Sequence, residues 1–127
     1  MESIRINFKG NAKKIALTLK CYNWIDKQTK QHLCYVPSLE FSAYGKTADK
    51  AQAMLADVIE SYCQNLFALS VKQVHAELAQ YGWKQDKLHN KNYKHAYVDA
   101  NGVLQNLNVN IEDVQEASIN RELTAVA

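Results

Sequence analysis

The stretch His32–Ala53, HLCYVPSLEFSAYGKTADKAQA, reads as strand, turn, strand, glycine corner and capped helix in one run. Leu33 to Val36 has strand character. Pro37 has no backbone donor, so it belongs at a strand end. Leu39, Phe41 and Ala43 alternate with Glu40, Ser42 and Tyr44, the period of a second short strand. Gly45 can take a positive φ and end it. Thr47 is a good helix N-cap, and Asp49 puts negative charge in the first turn. Ala51, Met54, Leu55, Val58, Ile59, Tyr62 and Leu66 then fall on one helical stripe. Gln52, Asp57, Glu60 and Gln64 lie on the wet side. The stripe is wide enough to cover a small sheet.

Upstream, Ile15, Leu17, Leu19 and Cys21 alternate with Ala16, Thr18, Lys20 and Tyr22, a strong strand signal. Asp26 to Lys30 is polar and reads as a hairpin loop. A loop centred between Lys27 and Gln28 sets Cys21 opposite Cys34 and Leu19 opposite Val36, all on one face with Leu17. Ile4, Ile6 and Phe8 predict a further strand, turned by Lys9-Gly10-Asn11.

Downstream, Ser70 to Gln73 is a capping box, with Leu69 and Val74 placed for a hydrophobic staple. Val71, Val74, Leu78 and Tyr81 form the buried side of a short second helix, stopped by Gly82. Lys84 to Lys94 reads as a polar connector. Asn101-Gly102 is the preferred pair for a type I′ turn, predicting a hairpin over Ala96–Val109. Asn110 and Asp113 are placed to cap a short helix carrying Ile111 and Val114. From about Ser118 the chain has little to bury and is expected to fray.

The 127 residues are enough for a compact domain with a real core. Net charge is only +2, too small to demand nucleic acid as a partner. No apolar run is long enough to cross a membrane. The start, MESIRINFKGNAKK, lacks the order of a signal peptide. None of the three cysteines lies in a C-x-x-C pair, and an odd number cannot form a complete internal disulfide framework. The expectation is a cytoplasmic protein.

Candidate chemistry is thin. His32 and Cys34 share a strand face that Cys21 joins, but zinc needs about four converging ligands and that face carries the core residues Leu17, Leu19 and Val36. The cysteines read better as small buried hydrophobes. Cys63 lies toward the C-terminal end of its helix, where the dipole opposes a thiolate. The four glycines are isolated, so no phosphate loop can be written. Neither Asp57 with Glu60 nor Glu112 with Asp113 needs more than solvation or capping to explain it. No catalytic residue, metal ligand or cofactor site is assigned.

The outward face of the first hairpin is different. Lys20, Tyr22, Trp24 and Tyr35, with Thr18, line the side away from the helix. Aromatic and basic residues so placed suit a protein interface. They also suit a single-stranded nucleic-acid platform, with bases stacked on rings and lysines on phosphates. Cover by the chain's own Tyr97–Leu104 hairpin or N-terminal strand is the third reading, and all three stay open.

Tyr35, Pro37, Leu39, Gly45, Thr47 and Ala51, in that order before a long amphipathic helix, resemble the HicB-like antitoxin family. Tyr81-Gly82-Trp83 is similar to a corner seen in a subset of it, so the resemblance covers roughly residues 16–83. It implies a β-β-β-α core and a non-enzymatic role: binding and neutralising a small toxin, HicA, an mRNA-cleaving protein with a double-stranded-RNA-binding-like fold. Family members often bind operator DNA through a C-terminal helix-turn-helix or ribbon-helix-helix. Lys84–Ala127 offers a hairpin and a tail instead, so DNA binding is not carried over, and an orphan domain with another partner is equally consistent.

The expected architecture is α+β: an antiparallel meander, one long helix across one face, a short second helix and an appended hairpin. Residues 1–86 form the core unit, and 87–127 an accessory hairpin and tail packed on the same domain. A homodimer is expected, through Ile4–Phe8 or through the Ala96–Val109 hairpin.

Overall fold

The structure, a computed structural model, describes residues 2–10, 12–85, 92–95 and 113–126. It is α+β. Strands β1 (Ser3–Asn7), β2 (Ala12–Ile25), β3 (His32–Val36) and β4 (Phe41–Gly45) form an antiparallel meander. Helices α1 (Ala48–Phe67) and α2 (Val71–Ala79) follow. Three more strands join the same sheet: β5 (Trp83–Gln85), β6 (Asn92–His95) and β7 (Gln115–Val126). Neither described helix is long and apolar enough to cross a membrane.

β2 organises the sheet. Lys14 to Thr18 pair with both β1 and β7, and Tyr22 and Asn23 pair with both β3 and β7. A strand has two edges, so β1 and β3 lie end to end along one edge of β2 while β7 takes the other. Glu2 fills the gap between β1 and β3. Its Oε2 accepts from the Lys20 backbone N–H at 3.0 Å and from the Ser38 hydroxyl at 2.6 Å. Ser38 is otherwise a buried polar residue, and its carbonyl accepts from the Trp83 indole at 2.9 Å.

The apolar stripes meet as their periods require. Ile4, Ile6, Ile15, Leu17, Leu19 and Val36 from the sheet share one core with Leu55, Ile59, Leu66, Val74 and Leu78 from the helices. Thr47 caps α1 by accepting from the Lys50 N–H, and both arms of the Ser70–Gln73 capping box are formed. At the other end of α1, Lys13 Nζ donates to the Phe67 carbonyl at 2.7 Å, satisfying a helix-end group.

Several expectations need correcting. The β2–β3 register sets Cys21 against Val36 and Asn23 against Cys34, two residues from the pairing expected. The Asp26 carbonyl accepts from the Lys30 N–H across a longer loop, with Lys30 at φ 62. A two-residue shift preserves the face, so the core is unchanged. Gly45 is not in the positive-φ region. A Cβ there would lie 2.6 Å from the Ala51 backbone nitrogen, so close approach of α1 requires the glycine. Part of the supposed connector Lys84–Lys94 is strand, with Lys84 paired to Lys94. The tail does not fray: β7 runs antiparallel to β2 from Ala12↔Val126 to Asn23↔Gln115. The N-terminal strand offers no free edge at Ile4 and Arg5, which pair with β2 on one side and β6 on the other. The hairpin over Ala96–Val109, and most of the short helix after it, lie outside the described residues.

Candidate functional site

Strand alternation on β2 sends Ile15, Leu17, Leu19 and Cys21 into the core and Thr18, Lys20, Tyr22 and Trp24 to the opposite face. The register extends that outward face. Tyr35 lies directly across from Tyr22, and Leu33 across from Trp24. Tyr44 lies beyond Leu33 on β4. The four residues singled out in the sequence, Lys20, Tyr22, Trp24 and Tyr35, therefore share one face. They are not equally presented. Tyr22 is only 8% exposed, whereas Lys20, Trp24 and Tyr35 are half-buried and Tyr44 is 56% exposed.

Charge on this face is balanced. Lys20 Nζ lies 3.6 Å from Glu116 of β7, and the Thr18 hydroxyl donates to Asn120 at 2.9 Å. Burial and the nearby Glu40 carboxylate push the Tyr35 hydroxyl above its ordinary pKa. Leu33, Tyr44 and Glu116 were missed in the sequence. Tyr44 and Leu33 carried a usable signal, since continuing the alternation across β3 and β4 places them beside Trp24. Glu116 carried none, because its partner strand is nearly the whole chain away.

A groove of about 570 Å³ opens beside this face, at the end of the β2–β3 hairpin and the first turn of α1. Trp24, Ile25 and Leu33 give it apolar walls, Lys27 and Lys30 are the cationic part of its lining, and His32 lies beside them. Asp113 partly offsets them, lying 3.6 Å from Lys27. The volume lies in the range of pockets that hold a small molecule.

The cysteines sit under the sheet. Cys21, Cys34 and Cys63 are free and buried. Burial, reinforced by neighbouring Cys34, pushes the Cys21 thiol up to about 12. Burial raises Cys34 as well. Burial lifts Cys63 to about 11 against the opposing pull of Arg121. The Gln52 amide donates to Cys34 Sγ at 3.3 Å and to Asn23 Oδ1 at 2.8 Å. Thiols so placed stay protonated at neutral pH and are poor nucleophiles. Among the described residues, no three His, Cys, Asp or Glu side chains converge as metal ligands would.

The outward face thus presents rings and a leucine, with the groove beside them. A scan against models of protein families finds no match to this chain, and searches of curated proteins and of solved structures find none either.

Proposed function

We propose that the chain is a non-catalytic binding protein of the antitoxin type, which docks a small protein partner on the outward face of β2, β3 and β4. The observation that carries this reading is the aromatic cluster Trp24, Tyr35 and Tyr44 around Leu33, with Lys20 paired to Glu116 beside it. Aromatic residues on a preformed surface are the usual anchors of protein interfaces, because they bury large area at small entropic cost. The adjoining groove, about 570 Å³, offers further concave surface beside the rings. The HicB-like order of residues from Tyr35 to Ala51 points to a toxin-like partner, with the chain acting in the cytoplasm.

The second reading is a nucleic-acid platform, favoured by Lys27, Lys30 and His32 beside Trp24. Phosphate binding needs unpaired cations, and on the sheet face the lysine nearest the rings is paired.

Capture of partners from the native cell by wild-type protein and by Trp24→Ala/Tyr35→Ala separates the two. The expected result is one small protein, active against mRNA when freed, held by the wild type and lost from a folded double variant. Tight RNA or DNA binding by the isolated chain, with no protein recovered, would overturn the proposal.

A further inference from the structure

We propose that β7 is a dimer edge, along which two copies of this chain pair antiparallel over residues 115–125 about a twofold axis at Asn120. The inference stands on the geometry of β7 and is independent of the partner face.

The direction of the outer edge follows from hydrogen-bond parity. The Lys20 N–H points to Glu2, on the edge of β2 that holds β1 and β3. Backbone groups alternate along a strand, so odd-numbered residues of β2 turn theirs toward β7. In the observed register Leu17 faces Arg121 and Leu19 faces Ile119, so odd residues of β7 bond inward. The N–H and C=O groups of Glu116, Ser118, Asn120, Glu122 and Thr124 therefore point away from β2, and all five residues are exposed. Among the described residues no strand pairs with that edge. A long, regular edge of this kind is a template for another strand.

The same strand carries unfinished apolar surface. Ile119, Leu123 and Ala125 pack against the core yet remain half-buried, and Ala117 is exposed. A strand added beyond β7 would cover them.

Self-complementarity identifies the occupant. Two copies related by a twofold axis must bond even residues to even residues, which places the axis on a residue. An axis at 119 sets Glu116 against Glu122. Axes at 121 and 122 set Arg121 and Glu122 against themselves. Like charges directly opposite are unfavourable. An axis at 118 is free of such pairs but uses a shorter overlap. The axis at Asn120 uses nearly the whole strand and opposes no like charges. Ile119 then meets the stem of the partner's Arg121, Ala117 meets the partner's Leu123, and Ser118 meets the partner's Glu122. Both copies extend one sheet across the interface.

Sedimentation of the full chain at micromolar concentration gives the first test, and a dimer is expected. Ser118→Glu places two Glu–Glu pairs across the axis and is expected to weaken the dimer about five- to tenfold. Adding Glu122→Lys turns both into opposite-charge pairs and should restore it. A nitroxide on Asn120→Cys should show strong broadening from its twin, because backbones in such a pair lie about 5.5 Å apart. A monomer at all concentrations overturns the proposal. So does a dimer indifferent to Ser118→Glu with unbroadened labels, which would mean pairing through another surface or exchange of β7 with another register.

Discussion

Glu2 precedes β1, yet its carboxylate holds together the two strands that share an edge of β2. Glu2→Ala leaves the Lys20 N–H and the buried Ser38 hydroxyl without their acceptor. We expect a loss of about 1.5–3 kcal/mol, the range for hydrogen bonds to a charged group, read by urea denaturation. Glu2→Gln, which keeps one acceptor oxygen, should cost less. The buried thiols set the response to alkali. An unfolded cysteine ionises near pH 8.5 to 9, whereas folded Cys21 and Cys63 hold their protons to about 12 and about 11. Below pH 8 both states are protonated and the stability from burial is fully present. Above pH 9 the unfolded chain releases protons that the folded chain keeps, so stability falls with a limiting slope of about 1.4 kcal/mol per pH unit per thiol. The urea midpoint should drop between pH 9 and 11, and Cys63→Ala should flatten that drop while costing stability at neutral pH. A midpoint unchanged to pH 10.5 would mean that the thiols are not buried as described.

At the scale of elements, α1 is where sequence and structure agree best. Its cap, its stripe and its buried residues were legible because a helix carries its pattern within a few turns. Leu55→Ala and Ile59→Ala should each cost about 2–5 kcal/mol, since both side chains are 1% exposed within the shared core. Glu60→Ala on the exposed side should stay within about 0.5 kcal/mol. Thermal unfolding followed by circular dichroism distinguishes these. The corner before α1 was legible in position but not in cause. Gly45 is needed for the approach of α1 rather than for a positive φ, so Gly45→Ala is expected to cost about 1–3 kcal/mol through overpacking. Gly45→Asn, which tolerates positive φ but carries a Cβ, should fare no better. The β2–β3 loop was misplaced because Lys30, a residue that seldom adopts positive φ, does so here.

At the scale of the whole molecule, the meander-plus-helix core was readable because its contacts are between neighbours in sequence. β7 was not. Its alternation, Ala117, Ile119, Leu123 and Ala125, is interrupted by Arg121, and its partner β2 lies at the other end of the chain. β5 and β6 are hidden for a similar reason: Lys84, Gln85 and Lys94 have the composition of a linker, and what holds them is the burial of Trp83 against Ser38. The candidate face was legible in part. Lys20, Tyr22, Trp24 and Tyr35 share it, but Glu116, which pairs with Lys20, comes from β7. The aromatic cluster, with that ion pair beside it, favours a protein partner over a nucleic acid. The most direct test is the salt dependence of binding between the chain and the partner it captures, measured after nuclease treatment. Affinity is expected to change less than about tenfold between roughly 50 and 200 mM salt, and Trp24→Ala/Tyr35→Ala is expected to abolish binding. A loss of about a thousandfold over that interval, as expected when several phosphates are neutralised, or the disappearance of all binding after nuclease treatment, would contradict a protein partner.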